Sequence, residues 1–165
     1  PKFFIISQPN DWANQIRETV EDYEPSETKL LQLEFWNNFK NYVEGKNTTL
    51  RLRGTRPQHW YSVAIGSSEA HMAYTVNTQD NKISCEIYIK DSKELFDNIE
   101  QHKLDIEREI GNRLEWMKLE GKKASRIKIS MEGDINQKED WEKYFDWMKN
   151  IGETFQRVFS KYIRG

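Results

Sequence analysis

The sequence is poor in cysteine, with a single thiol at Cys85 among 165 residues. One thiol can form neither an internal disulfide nor a multi-cysteine metal cluster, and this usage is typical of a reducing compartment. No apolar run reaches the about 18 residues needed to span a bilayer, and the N-terminus lacks the basic-then-apolar order of a signal peptide. We therefore expect a cytoplasmic protein with no membrane partner.

An excess of charge of one sign is also missing. The chain has 25 Lys+Arg against 27 Asp+Glu, a formal net charge of -2, and a mean hydropathy of -0.91. This balance argues against a protein that coats nucleic acid or membrane through bulk positive charge, so any such binding must use a local patch. Six Trp, seven Tyr and eight Phe supply the bulk of a core beneath the charged surface.

The first 25 residues are predicted to be separate from the rest. A short strand at 3–7 and a brief helix capped by Asn10 precede an acidic connector over 17–27 that contains Pro25. Because the chain enters directly on a strand-like run, we expect it to be the C-terminal piece of a longer protein. Residues 1–25 would then be the tail of an upstream domain and its connector, and residues 26–165 a single α+β domain.

The remaining pattern predicts an antiparallel sheet of about five strands packed against three helices. Helical spacing of apolar residues predicts helices over 26–44, 91–111 and 136–162, the last about 27 residues long. Asp91 and Asn136 are the predicted capping residues of the second and third helices. The strands form a β-meander followed by a hairpin: 60–65, 72–76, 83–89, 114–119 and 126–131. Alternation in the third strand predicts one buried face and one wetter face.

The stretch from Lys46 to Trp60, which we call the basic segment, contains no acidic residue. Arginine forks suit phosphate recognition, Gln and His side chains can hydrogen-bond base edges or backbone, and Trp60 and Tyr61 offer stacking faces. The candidate nucleic-acid contacts are Arg51, Arg53, Arg56, Gln58, His59 and Trp60. In the alternative interpretation the arginines solvate an ordinary edge strand and pair with acidic helices, while Trp60 packs in the core.

A second basic stretch lies on the predicted hairpin, where Glu120 is the one acidic residue among five bases. Its candidate contacts are Lys122, Lys123, Arg126 and Lys128. They would form one patch with the basic segment if the strand face that carries Arg126 and Lys128 adjoins it. Otherwise these lysines form a soluble edge that resists aggregation.

No motif for catalysis is evident. Glu120 and Lys122 have a spacing that some nucleases use, but they fall in a predicted turn. Cys85 lies on the apolar side of its strand, which favours an inert core thiol. The three histidines lack the paired spacing of metal ligands. We therefore expect no catalytic residue, no metal site and no cofactor.

Several short stretches together resemble a prokaryotic domain of unknown function. They are Phe35-Trp36, Pro57-Gln58-His59-Trp60-Tyr61, Ile65-Gly66, Glu86-Ile87-Tyr88-Ile89, Ile106-Glu107, Leu114-Glu115-Trp116 and Trp141 with Trp147. The resemblance covers about residues 30–163. In that family the domain commonly follows an N-terminal region similar to PD-(D/E)xK nucleases. The resemblance implies an upstream nuclease-like partner and a role in defence against foreign DNA, and it transfers no catalytic residue.

Two functions follow as hypotheses. The first is a non-catalytic accessory domain that binds nucleic acid, with DNA as partner, and such binding should weaken steeply with salt. The alternative is a protein-interaction or dimerisation module that uses the aromatic faces of the first and last helices and makes no nucleic-acid contact. A homodimer is the partner expected in that case.

Overall fold

The structure, a computed structural model, describes residues 26–163. Four helices and five strands follow one another in chain order: α1 Glu27–Glu44, β1 Trp60–Val63, β2 Ala70–Asn77, β3 Lys82–Ile89, α2 Lys93–Glu100, α3 Lys103–Ile110, β4 Glu115–Met117, β5 Ser125–Glu132 and α4 Trp141–Ile163. The predicted tail and connector, residues 1–25, lie outside this range. Within the range, no helix is both long enough and apolar enough to cross a membrane.

The five strands form one antiparallel sheet in the order β1-β2-β3-β5-β4. The predicted meander of β1, β2 and β3 is confirmed, and so is the hairpin of β4 and β5. The hairpin joins the meander through β5, whose apolar residues Ile127 and Ile129 lie opposite Ile87 and Cys85. The short strand β4 therefore becomes the outer edge.

The helices cover one face of this sheet. On that face Phe39 of α1 lies 5.1 Å from the ring of Tyr74, and the Tyr74 hydroxyl donates to the carbonyl of Met148 in α4 at 2.6 Å. At the other end, Phe96 of α2 meets Trp116 edge-on at 6.3 Å. The helix α3 packs against α4. The domain is thus a two-layer α+β structure, as predicted.

The aromatic faces of α1 and α4 form the centre of the core. Phe35 lies 5.2 Å from Trp141 and 5.0 Å from Phe145, and all three rings are buried. Edge-on and tilted ring pairs of this kind add about 0.5–1.5 kcal/mol each beyond area burial. These faces therefore bury each other rather than forming an open groove.

The prediction of one continuous helix over 91–111 is wrong, because the structure has two helices there, α2 and α3. Its N-cap is Ser92, whose hydroxyl accepts from the Leu95 amide at 3.0 Å, rather than Asp91. The helix breaks at His102, whose amide donates to the Ile99 carbonyl instead of continuing the ladder. The His102 ring packs 4.8 Å from Tyr162 of α4, which turns α3 toward that helix.

The last helix is shorter than predicted. It has 23 residues, about 35 Å, because a 3-10 turn at Lys138–Asp140 precedes it. The predicted cap at Asn136 is not formed: its amide donates to the Asp134 carboxylate at 2.9 Å. The indole of Trp141 donates to the Ile135 carbonyl at 2.8 Å, which holds the incoming loop against the helix start.

Two strands are also shorter than predicted. The strand β4 starts after Leu114, since the Leu114 amide donates to the Glu107 carboxylate at 2.8 Å and is taken out of the ladder. It ends before Leu119, whose φ of 56° is incompatible with a strand. The strand β1 stops at Val63, before the turn at Gly66.

A close approach at Gly152 predicts a stability effect. A Cβ at this position would lie 1.8 Å from the Tyr74 hydroxyl oxygen. We expect Gly152→Ala to lower the free energy of unfolding by about 1–3 kcal/mol through overpacking. Urea denaturation measures this change.

The matched control is Gly54→Ala, because a Cβ at Gly54 meets nothing within 4 Å. Adding Tyr74→Phe removes the clashing oxygen, so the double variant should lose less than the sum of the single losses. Strict additivity would contradict the proposed clash.

Candidate nucleic-acid interface

The second face of the sheet carries no helix of the described residues, and we call it the open face. The strand register determines which side chains alternate onto it: Trp60, Ser62, His71, Ala73, Thr75, Asn77, Lys82, Ser84, Glu86, Tyr88, Glu115, Met117, Arg126, Lys128, Ser130 and Glu132. Its aromatic and basic members come from four different strands. The sheet therefore gathers residues that are far apart along the chain.

A row of three side chains crosses the open face near one end of the strands, where β2 and β5 begin and β3 ends. His71, Tyr88 and Arg126 lie opposite one another on β2, β3 and β5. The imidazole ring of His71 lies 5.1 Å from the Tyr88 ring at an interplanar angle of 34°. The guanidinium of Arg126 lies 5.0 Å from the Tyr88 ring centroid, within cation–π range. All three side chains are half-buried.

Glu86 holds Arg126 in this row. Its carboxylate accepts from the Arg126 guanidinium at 2.8 Å, and its side chain is 2% exposed. Burial raises the pKa of Glu86, while the positive charges of Arg126 and Lys128 oppose that rise. The prediction of a wetter second face on β3 is thus wrong at its centre, where Ser84 and Glu86 are both buried. The ion pair explains how a carboxylate is tolerated there.

The centre of the open face is close to electrically neutral. Arg126 pairs with Glu86, and Lys128 lies in register between Glu86 on β3 and Glu115 on β4. Two of the predicted phosphate contacts, Arg126 and Lys128, therefore have acidic neighbours in the sheet. The positive charge without such neighbours lies at the rims.

The basic segment forms one of these rims beside the edge strand β1, where it is hydrogen-bonded to β1 and to the helices α1 and α4. It has no regular structure before Trp60, yet its side chains alternate: Leu50 is buried and Leu52 half-buried, while Arg51 and Arg53 are exposed. The leucines attach the segment to the core, so the arginines face outward. Arg56 is exposed as well. The ion pairs found within residues 26–163 involve none of these arginines.

Two core side chains fix the backbone of the basic segment. The Tyr61 hydroxyl donates to the Arg53 carbonyl at 2.5 Å, and the Trp36 indole donates to the Gln58 carbonyl at 2.7 Å. Burial raises the pKa of Tyr61 to about 12. Tyr61 is buried, so the prediction that it offers a stacking face is wrong. Its role is to anchor the segment.

Trp60 has the opposite environment. It is 42% exposed at the start of the edge strand β1, and the His59 ring stands edge-on to it at 4.9 Å. The alternative interpretation, in which Trp60 packs in the core, is therefore wrong. The Gln58 side-chain amide donates to the Trp60 carbonyl at 3.1 Å, so Gln58 stiffens this turn.

The two basic stretches do not adjoin in the sheet. Arg126 and Lys128 lie on β5, which β2 and β3 separate from the edge strand β1 beside the basic segment. His71 lies on β2. Burial lowers the pKa of His71, and the positive charges of Lys90, Arg53 and Arg126 lower it further.

Lys122 and Lys123 lie farther away, exposed in the turn between β4 and β5. The Lys93 ammonium organises this turn by donating to the carbonyls of Lys118, Leu119 and Ala124 at 2.5, 3.1 and 2.9 Å. These two lysines form a second positive rim beyond the far edge of the open face. They are separated from the basic segment by the width of the sheet.

His71 and Tyr88 were missed as candidates from the sequence. The turn at 78–81 joins β2 and β3 so that Asn77 pairs with Lys82. Counting six residues along each strand from this pair places His71 opposite Tyr88. The position of the turn was therefore the signal in the sequence that could have predicted this contact. The position of Arg126 beside Tyr88 depends on the long-range pairing of β3 with β5, for which the sequence holds no local signal.

The groups considered for catalysis do not assemble. Across the described part of the chain, no three His, Cys, Asp or Glu side chains are placed to hold a metal ion. Cys85 is buried, and burial raises the pKa of its thiol well above the usual value, as expected of an inert core thiol. Glu120 pairs with Lys118 at 3.2 Å.

These features define a two-layer α+β domain with an aromatic, basic-rimmed sheet face. The chain belongs to the family described as domain of unknown function DUF4268, which matches residues 31–163. The match confirms the predicted resemblance to a domain of unknown function. No curated protein and no solved structure matches the chain.

The lowered pKa of His71 predicts a pH effect on stability. The fold favours the neutral imidazole, so its contribution is present above about pH 6.5, the ordinary pKa, and is lost as pH falls toward the lowered folded value. Between about pH 7.5 and about pH 5.5, the wild type should lose more unfolding free energy than His71→Gln. Denaturation of both proteins at each pH measures the difference.

Glu86 contributes with the opposite sign, because a raised carboxyl pKa makes the fold gain stability as pH falls. Both proteins keep Glu86, so the difference between them isolates His71. Parallel pH dependences of the two proteins would contradict the burial of a neutral imidazole.

Proposed function

We propose that this domain is a non-catalytic accessory domain that binds nucleic acid through the basic segment and the open face. The single observation that carries the proposal is the set of three exposed arginines, Arg51, Arg53 and Arg56, held beside a sheet face with exposed or half-exposed rings. Arginine forks match phosphate oxygens, and aromatic faces suit bases.

Preorganisation supports phosphate contacts by the basic segment. Its backbone is held by Tyr61 and Trp36, and its leucines pack into the core. A segment that is ordered before binding loses less conformational entropy when a ligand arrives. The arginines can therefore contribute more of their electrostatic attraction to affinity.

The context we propose is a partnership with a nuclease-like domain. The sequence resemblance described above supports an upstream neighbour of this kind and a role in prokaryotic defence. In that arrangement the domain would hold DNA for the neighbour and contribute no catalytic residue. The family match concerns residues 31–163 alone.

The protein-interaction alternative relied on the aromatic faces of the first and last helices. Those faces are buried against each other. The large apolar side chains exposed among residues 26–163 on the helices are Leu30 and Leu104, which lie on different helices. We therefore favour nucleic acid as the partner.

The first test compares nucleic-acid binding by the wild type and by an Arg51→Ala/Arg53→Ala/Arg56→Ala variant across a salt series. Each lost phosphate contact should flatten the plot of log affinity against log salt by about 0.7 for a single strand or about 0.9 for a duplex. For three lost contacts we therefore expect weaker binding and a slope reduced by about 2.1 for a single strand or about 2.7 for a duplex. Fluorescence anisotropy with labelled oligonucleotides measures both.

The matched control removes three exposed basic residues from the helix layer: Lys103→Ala, Arg108→Ala and Lys143→Ala. It changes the net charge equally and leaves the basic segment intact. Equal losses in the two variants would point to bulk charge and overturn the site. Absence of binding at low salt would overturn the function.

A further inference from the structure

We infer that the ligand is single-stranded nucleic acid, with bases stacked on the open face and phosphates against the basic segment. This inference rests on the proposed function and adds the class of ligand. The inference depends on where the aromatic side chains lie relative to the charged side chains. The sequence did not reveal this arrangement.

The first stacking position is Trp60. Trp60 is 42% exposed although tryptophan is the largest apolar residue, and it begins an edge strand that no further strand of residues 26–163 covers. The edge-on contact with His59 limits its rotation. A large aromatic surface held in one orientation and left in water is what a base needs for stacking.

The second stacking position is the row of His71, Tyr88 and Arg126. Tyr88 is flanked by the His71 ring at 5.1 Å and by the Arg126 guanidinium at 5.0 Å. Glu86 keeps that guanidinium in place at 2.8 Å. Planar guanidinium and aromatic groups both stack on bases, so the row offers a platform wider than one ring.

Spacing along the sheet relates the two positions. Trp60 is in register with Ser84, two strands away, and Tyr88 lies four residues beyond Ser84 on β3. Strand spacing and rise then place the two platforms about 17 Å apart. Stacked nucleotides rise 3.4 Å each, so about five stacked nucleotides, or fewer extended ones, span this gap.

The shape of the surface disfavours a duplex. In a duplex both faces of each base are covered by its neighbours, so Trp60 would have nothing to stack on. The major groove is about 12 Å wide and admits a helix or a two-stranded ribbon. Five strands at about 4.8 Å spacing are about 19 Å across, so the open face cannot enter it.

Charge placement agrees with this division. The centre of the open face is nearly neutral, because Glu86 and Glu115 flank Arg126 and Lys128. Bases carry no charge and can lie there, while the phosphates meet Arg51, Arg53 and Arg56 at the rim. A duplex would instead present phosphates to the neutral centre.

The test uses three probes: a thymidine single strand of about twelve nucleotides, a duplex of the same length, and a single strand of that length without bases. The variants are Trp60→Ala and, as the matched control, Leu104→Ala, which removes an apolar side chain that is 74% exposed on the helix layer. Anisotropy titrations across a salt series give affinities and salt slopes.

We expect the wild type to bind the single strand more tightly than the duplex or the base-free strand. Trp60→Ala should weaken single-strand binding by about 5- to 100-fold with an unchanged salt slope, because stacking involves no phosphate. It should not change binding of the base-free strand. Leu104→Ala should behave as the wild type with every probe.

Two other outcomes are distinguishable. Salt-dependent binding that is equal for all three probes and insensitive to Trp60→Ala would overturn this inference and leave the proposed function standing. Failure of the wild type to bind any probe at low salt would overturn both.

Discussion

Packing of aromatic helices on a single face of the sheet is the constraint on which the rest of this domain depends. The helices α1 and α4 bury their rings against each other and against Tyr61 and Tyr74 of the sheet. Because their aromatic surface is used in this way, the core is concentrated in one layer. The other sheet face is then free of described helices, and it can carry polar and aromatic side chains.

The same core positions the candidate site. Trp36 and Tyr61 are core residues by burial, yet their polar ends donate to backbone carbonyls of the basic segment. Buried Trp and Tyr usually place their polar atom on a partner, and here that partner is an irregular segment that carries three arginines. Order in the segment is therefore a consequence of core packing. A substitution of Trp36 or Tyr61 would therefore loosen the segment that carries the arginines without changing any arginine.

Much of the fold was predictable because its signals are local. Helical spacing of apolar residues predicted α1, and three short strand-like runs predicted the meander. The break at His102 was not predictable from a continuous apolar stripe, and the contact of the His102 ring with Tyr162 joins residues far apart in the sequence. The attachment of the hairpin through β5 depends on long-range pairing as well.

The candidate site was predictable in composition and not in geometry. Charge and aromatic content singled out the basic segment, but exposure reversed the expectation for Tyr61 and confirmed the accessibility of Trp60. The pattern of each strand by itself does not show that His71, Tyr88 and Arg126 form a row, because they come from three strands. Sheet register converts dispersed residues into a surface, and register between distant strands is set by the whole core.

In the proposed site, the pair of Glu86 and Arg126 separates the groups that stack on bases from the groups that bind phosphate. An unpaired arginine on this face would attract phosphate, but Glu86 both neutralises Arg126 and holds its guanidinium beside Tyr88. In the proposed site this guanidinium is part of the stacking surface and not a phosphate ligand. The proposal assigns the phosphates to the arginines of the basic segment, which form no ion pair within residues 26–163. This separation of stacking groups from charged groups is why we propose that the open face accepts bases and not a phosphate backbone.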